Sequence, residues 1–293
     1  MDAKRQLGEF LQTRRSQMRP ADVGLTGYGD RRRVPGLRRE ELALLAGVSA
    51  SYYSRLEQGQ SLNASPEVLD AIAQALRLNE TERRHLHDLA AGTRRRVGGR
   101  RSAPERMTPA LKQLVAAMGD TPVVVLGRRC DVLAWNHMGH ALFAGHLDRS
   151  SPDSPRDRPN MARLVFLDQH IRELYVNWPA KAKATVGMLR LAAGQHPDDA
   201  RLAALIGELT VRSDEFAEMW ANHWVKSSHD AVYEMRHPLV GDMTVTQQVL
   251  HIEHGERIVI ATTEAGSASQ AAMILLAHGT APAAGSSLSL PAK

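Results

Sequence analysis

Small polar and basic side chains share one side of the segment 50–58, with a spacing that suits hydrogen bonding to the edges of DNA bases. On a helix, Ser51 and Arg55 lie one turn apart and reach the same patch of a ligand. Arginine forks onto guanine, and serine donates to or accepts from several bases. Ala50 and Ser54 share that side, although Ala50 is long enough only to touch a thymine methyl group. The alternative is the solvated face of an ordinary helical hairpin.

Two short helices joined by a tight turn must position these side chains. The pattern predicts a first helix at Arg38–Ala46, which Gly47 ends in the left-handed conformation. Ser49 then offers an oxygen that caps a second helix at Ala50–Gln58. Two helices with a glycine in the turn form a helix-turn-helix, whose second helix enters the major groove of DNA. The residues predicted to face inward are Leu42, Leu45, Ala46, Val48, Tyr53 and Leu56.

Residues 1–92 resemble the phage-repressor-type (Xre) helix-turn-helix family, through LRREELALLAGVS, YYSRLEQG and SPEVLDAIAQALRL. The resemblance implies an all-α domain of five helices. They are expected near Ala3–Met18, Arg38–Ala46, Ala50–Gln58, Pro66–Leu76 and Glu80–Ala91. By the same resemblance, Ala50, Ser51 and Arg55 would face bases, and Arg39 and Gln58 would lie near phosphates. Ser49, at the start of the second helix, completes this group of candidate DNA contacts.

Local start signals support the last two of these helices. Ser65 followed by Pro66 combines a capping hydroxyl with a proline at the first helical position. Asn79 followed by Glu82 resembles a capping box, with asparagine in place of serine or threonine.

The basic residues are concentrated in the first part of the chain. Residues 1–106 carry 20 Lys and Arg against 13 Asp and Glu, while the rest carries 17 against 19. This asymmetry indicates that the first part meets a polyanion. Arg31, Arg32 and Arg33, in a glycine-rich loop, and the arginines of TRRRVGGRRSAP are candidate phosphate contacts. The alternatives are solubilising loop charges and, for the second segment, a flexible spacer.

The second half has the pattern of a mixed α and β domain. Strands are predicted at Pro122–Leu126, Val132–Trp135, Met243–Glu253 and Arg257–Thr262, the last two joined by a turn at 254–256. Helices are predicted at His137–Phe143, Arg163–Trp178, Ala180–Ala193, Asp198–Arg212, Ser213–Asn222 and Ser267–Ala277. This order is that of a small α+β, PAS-like sensor, in which a curved antiparallel sheet and helices enclose a pocket.

This half resembles the ligand-binding domain of the MmyB-like transcription regulators. The matching segments include LAWN at Leu133–Asn136, NMARLVFLD at Asn160–Asp168, TVGMLRLAAGQHPDD at Thr185–Asp199, LIGELTVRSDEFAEMWANHWV at Leu205–Val225 and HPLVG at His237–Gly241. The resemblance implies a one-component regulator that senses a small, apolar molecule such as a fatty acid. Trp224 departs from the family pattern, and a pocket into which it pointed would be smaller.

Aromatic and polar residues of this half are the candidate ligand contacts. Aromatic walls with a few placed polar groups are typical of ligand sites. The candidates are Trp135, Asn136, Trp178, Trp220, His223 and His237. The alternative is that the tryptophans only fill the core, because Trp220 and Trp224 form an i,i+4 stripe.

Other functional classes find little support in the sequence. His137 with His140 and His251 with His254 have i,i+3 spacing, which could bring two imidazoles together. No third metal ligand follows either pair at the spacing of a known metal motif, so no metal or other cofactor is predicted. No GxSxG, Walker or GxGxxG motif points to an enzyme. With one cysteine, Cys130, and no membrane-length apolar run, the sequence predicts a cytoplasmic protein without a disulfide.

The predicted organisation is a DNA-binding domain at 1–92, a basic flexible linker at 93–105, a PAS-like ligand-binding domain at 106–279 and a disordered tail at 280–293. The predicted partners are a double-stranded DNA operator, a small apolar ligand and a second copy of the chain. In such a homodimer the two recognition helices would lie about 34 Å apart on half-sites. A second half that serves only for dimerisation is the alternative.

Overall fold

The computed structural model describes residues 3–25, 36–60, 64–92, 105, 107–154, 158–222, 230–252 and 255–280. They form two compact units, and each unit consists of two separate stretches of the chain. The first unit comprises Met1–Pro104 and Ala180–Ser227, and the second comprises Glu105–Pro179 and Ser228–Lys293. The second half of the sequence therefore contributes to both units. Among the described residues, no helix combines the length and the apolar character that crossing a membrane requires.

The N-terminal part of the first unit has the five predicted helices. They are α1 (Ala3–Gln17), α2 (Arg39–Leu45), α3 (Ala50–Glu57), α4 (Pro66–Ala75) and α5 (Glu80–Gly92). Their core is built around the buried Phe10, Tyr53, Ile72 and Leu86. The prediction of an all-α helix-turn-helix region is confirmed.

The predicted start signals of α4 and α5 are also confirmed. The Ser65 hydroxyl accepts a hydrogen bond from the Val68 amide at 3.4 Å. The Asn79 side chain accepts from the Glu82 amide, and the Glu82 carboxylate accepts from the Asn79 amide, each at 3.0 Å. This reciprocal pair is the capping box that the sequence predicted.

One predicted core position of α2 is wrong. Leu45 is 38% exposed, whereas Leu42, Ala43 and Ala46 are buried. On a helix with 100° between successive residues, these three surround a common direction and leave Leu45 at the edge of the buried side. The buried side of α2 is therefore rotated by about half of the 100° step between residues from the predicted face.

Three helices from the second half of the sequence complete the first unit. They are α10 (Trp178–Gln195), most of which lies in this unit, α11 (Ala200–Arg212) and α12 (Asp214–Ala221). Leu191 of α10 packs against the core of the N-terminal helices. A Cβ atom on Gly194 would lie 2.7 Å from Cε1 of His85 on α5, so the two helices approach as closely as a glycine allows.

The second unit is an α+β arrangement around one antiparallel sheet, as the sequence predicted. The strands are β1 (Val123–Leu126), β2 (Val132–Trp135), β3 (Asp230–His237), β4 (Gly241–His251) and β5 (Arg257–Thr262), in the order β2-β1-β5-β4-β3. The helices are α6 (Pro109–Ala117), α7 (His137–Ala144), α8 (Met161–Leu167), α9 (Gln169–Leu174) and α13 (Ala268–Thr280). Buried Val123, Val125 and Ile258 fill a core cluster on the sheet.

Two elements differ from the sequence prediction. The single helix predicted at 163–178 is wrong, because Asp168 is extended (φ −110°, ψ 125°) and separates α8 from α9. The Asp168 carboxylate caps the new helix by accepting from the Ile171 amide at 3.0 Å. Strand β3 was not predicted, although Tyr233, Met235 and His237 alternate inward along it and it pairs with β4 over its whole length.

Candidate nucleic-acid interface

The turn between α2 and α3 fixes where the candidate recognition helix begins. Gly47 has φ +66°, and the amide of Val48 donates to the Ala43 carbonyl at 3.0 Å. This pattern ends α2 in the left-handed turn that glycine favours. Ser49 then caps α3, since its hydroxyl accepts from the Tyr52 amide at 3.1 Å. The predicted cap at Ser49 is confirmed, and this use of its hydroxyl is structural.

One side of α3 is exposed, while the other is buried. Ala50, Ser51, Arg55 and Gln58 are exposed, and Ser54 is half-buried. Ser49 and Ser51 place their hydroxyl oxygens 3.3 Å apart at the start of the helix. The structure therefore brings together the predicted base-facing residues on one accessible surface.

A buried carboxylate, Glu57, anchors the opposite side of α3. Its side chain is 1% exposed. Arg15 of α1 donates to both carboxylate oxygens, at 2.8 and 2.9 Å. Arg39 donates through Nε to one of them at 2.8 Å. Because three helices meet at this carboxylate, Glu57 fixes how α3 is presented.

The electrostatics of this anchor favour the ionised carboxylate. Burial acts to raise the pKa of Glu57, but the hydrogen bonds from Arg15 and Arg39 outweigh it and hold the pKa below its ordinary value. The same carboxylate raises the pKa of the Arg15 guanidinium. The sequence reasoning missed Glu57, although Tyr53, Leu56 and Glu57 follow the i, i+3, i+4 spacing of one helix face.

Arg39 of α2 is both hydrogen-bonded within the protein and partly exposed. It holds Glu57 through Nε, yet its side chain remains 43% exposed. Such a guanidinium is oriented by the protein while part of it stays accessible to a phosphate. The other predicted phosphate contacts, Arg31 to Arg33, lie outside the described residues.

The predicted ligand contact Asn136 is engaged with the backbone. Its side-chain oxygen accepts from the amides of Val123 (3.0 Å) and Gly139 (2.7 Å). Its amide nitrogen donates to the carbonyls of Gly119 (3.0 Å) and Thr121 (2.7 Å). These four bonds cap α7 and tie it to the start of β1.

His237 and Trp178 are likewise held by neighbouring backbone in the second unit. Nε2 of His237 lies 3.0 Å from the Ala141 carbonyl, and the Leu239 amide donates to Nδ1 at 3.3 Å. Burial lowers the pKa of His237, which the bond to Ala141 only partly opposes. The indole of Trp178 donates to the Val165 carbonyl at 2.7 Å.

The remaining predicted ligand contacts occupy different environments. Trp135 is half-buried, and its indole donates to the Arg149 carbonyl at 2.8 Å. Trp220 lies in the first unit, where it stacks on Phe216 with ring centroids 5.6 Å apart. His223 lies outside the described residues. Whether these side chains contact a ligand stays a prediction.

Two family models match successive parts of the chain. A helix-turn-helix domain model matches residues 6–86, which contain α2, α3 and their turn. A model described as the MmyB-like transcription regulator ligand binding domain matches residues 107–276. No curated protein matches the chain. Because the second model covers more than half of the residues, the chain belongs to the MmyB-like transcription regulator ligand binding domain family, and with its helix-turn-helix it is a DNA-binding, ligand-responsive transcription regulator.

Proposed function

We propose that this regulator is of the Xre type and binds an operator as a homodimer, with the exposed side of α3 in the major groove. The observation that carries the proposal is that α3 has an accessible side, while the buried Glu57 fixes the opposite side of the same helix to α1 and α2. A recognition helix must be held rigidly while its outer side chains reach base edges. Ser51 and Arg55 supply hydrogen-bonding groups, and Ala50 permits close approach of the backbone.

Phosphate contacts would position this helix without reading sequence. Arg39 and Gln58 are exposed and are the proposed phosphate contacts, together with Arg31, Arg32, Arg33 and the basic linker. Each such contact releases counterions, so affinity for the operator should fall steeply as salt increases.

We further propose that residues 106–279 form a PAS-like sensor for a small apolar ligand of fatty-acid type. The sheet order β2-β1-β5-β4-β3, with helices inserted between β2 and β3, supports the PAS-like comparison. A ligand would change operator affinity only through its different affinities for two arrangements of the protein. Mass spectrometry of an organic extract of the full-length protein tests this proposal. An empty extract would favour a second half that only dimerises.

Replacing Arg55 with alanine is expected to weaken specific operator binding by about 1–3 kcal/mol, because a bidentate base contact is lost. Selection of operator DNA from a random pool by the full-length protein would supply the site. Fluorescence anisotropy with that site and with unrelated DNA would then measure both affinities. Binding to unrelated DNA should change much less.

The matched control is Arg212→Ala, which removes an exposed arginine of α11. It should leave operator affinity unchanged. Equal operator affinities for the wild type and Arg55→Ala would contradict base reading by Arg55. Sedimentation equilibrium on the operator complex would test the dimer, and one protein per palindromic site would contradict it.

A further inference from the structure

A cavity of about 180 Å³ lies among four helices of the first unit. Helices α1 and α5 form one part of its wall, and α10 and α12 form the other. Among the predicted ligand contacts that the structure describes, Trp220 lines this cavity. The cavity is therefore distinct from the exposed side of α3 and from the surroundings of Asn136, Trp178 and His237.

The size and the walls of the cavity suit a single aromatic ring. An engineered protein cavity of about 150 Å³ is known to hold benzene, so one substituted ring fits the volume found here. Trp220 is held in a stack on Phe216, with planes inclined by 14°. Phe10 is held edge-on against His85, with centroids 5.3 Å apart. Leu89 also lines the cavity, and such fixed aromatic and aliphatic walls favour a flat apolar ligand.

A buried guanidinium gives the same cavity a cationic wall. Arg190 is 6% exposed, its guanidinium carbon lies 4.5 Å from the centre of the Trp220 ring, and it donates to the Trp220 carbonyl. Burial lowers the pKa of Arg190 to about 10, the charge of Arg14 adds to this effect, and Glu9 only partly opposes it. An anion at this place would stabilise the charged form.

We propose that this cavity binds a small aromatic carboxylate. The ring would lie among Phe10, Leu89 and Trp220, and the carboxylate would accept hydrogen bonds from Arg190. A guanidinium has five N–H donors in a planar fork, so it can hold a backbone carbonyl and a carboxylate together.

Such a ligand would act on both matched regions at once. Phe10 and His85 belong to the residues that the helix-turn-helix model matches, and Arg190 and Trp220 belong to those that the ligand-binding model matches. Binding would stabilise the packing of α1 and α5 on α10 and α12. The site adds to the proposed apolar-ligand sensor and does not depend on it.

Isothermal titration calorimetry of the full-length protein with sodium benzoate tests the proposal, with benzamide as the uncharged probe of the same shape. We expect saturable benzoate binding at one site and at least tenfold weaker binding of benzamide. Arg190→Met should weaken benzoate binding at least tenfold, and Ala193→Leu, which fills the cavity, should abolish it. The control Arg212→Met, at an exposed arginine of the same unit, should bind as the wild type does.

Circular dichroism would verify that each variant is folded, and photolabelling of the wild type with 4-azidobenzoate gives a readout that needs no variant. Label on peptides of α1, α5, α10 or α12 supports the site. Three outcomes would overturn it: no saturable benzoate binding by the wild type, equal binding of benzamide, or label confined to other peptides.

Discussion

Replacing Glu57 with glutamine is expected to lower the free energy of unfolding by about 3 kcal/mol, since removing one member of a buried ionic group leaves the others without compensation. In the wild type, the carboxylate receives two hydrogen bonds from Arg15 and one from Arg39. Glutamine keeps the shape but removes the charge, and its NH₂ group would face a guanidinium. Urea denaturation of the full-length protein, followed by circular dichroism, measures the loss.

The matched control is Glu40→Gln, at an exposed position of α2. This change should alter the free energy of unfolding by no more than about 0.5 kcal/mol. If the two variants were equally stable, Glu57 would not anchor the three helices. Glu57→Gln should also weaken operator binding, because Arg39 and the presentation of α3 both depend on this carboxylate.

The stabilisation from Glu57 should depend on pH in the acidic range. Its pKa is lower in the folded protein than the ordinary value of 4.5 that an unfolded chain has. The unfolded state therefore binds the proton more readily, and the contribution of Glu57 is complete above pH 4.5 and is lost as the pH falls through the folded pKa. The stability difference between the wild type and Glu57→Gln should shrink below pH 4.5. A constant difference in urea denaturations at pH 3 and pH 7 would contradict this.

Local signals made the helix-turn-helix predictable. Gly47, Ser49 and the Asn79–Glu82 capping box end or begin helices through contacts with residues only a few positions away, and the structure has each of these helix ends as predicted. The strands β2 and β5 were also predicted with their bounds, because short runs that contain β-branched or aromatic residues end at turns.

The features that the sequence did not predict depend on distant partners. Strand β3 carries charged residues between its inward positions, and pairing with β4 decides its conformation. The helical pattern of the sequence continues through Asp168, yet the chain breaks there. The Asp168 side chain caps the next helix, and this local hydrogen bond competes with a continuous helix. Likewise, no local signal in α10 indicates that Leu191 and Gly194 pack against helices about a hundred residues earlier.

In the candidate site as well, features set by neighbouring residues could be predicted from the sequence, and features set by distant residues could not. The exposed side of α3 follows from helical spacing alone, so the sequence could predict that Ser51 and Arg55 share it. The role of Glu57 requires Arg15 of α1, which lies 42 positions away in the chain. Asn136 was singled out as a polar residue beside a tryptophan, yet spacing could not indicate that four backbone groups converge on its amide.

Replacing Asn136 with alanine is expected to lower the free energy of unfolding by about 3 kcal/mol. Loss of the helix cap on α7 costs about 1 kcal/mol. The buried amide of Val123 also loses its side-chain partner, and an unsatisfied buried group costs about 1–3 kcal/mol more. Asn136→Ser should recover part of the loss, because a hydroxyl can still cap α7 at Gly139.

The control for this variant is Asn222→Ala, at an exposed position after α12, where the change should be about 0.5 kcal/mol or less. Urea denaturation of the three variants and the wild type measures the series, and the ligand content of each is read from an organic extract. Because Asn136 ties α7 to the start of β1, we expect its loss to act on stability first. If Asn136→Ala were as stable as the wild type but lost a bound ligand, Asn136 would be a ligand contact and not a structural clamp.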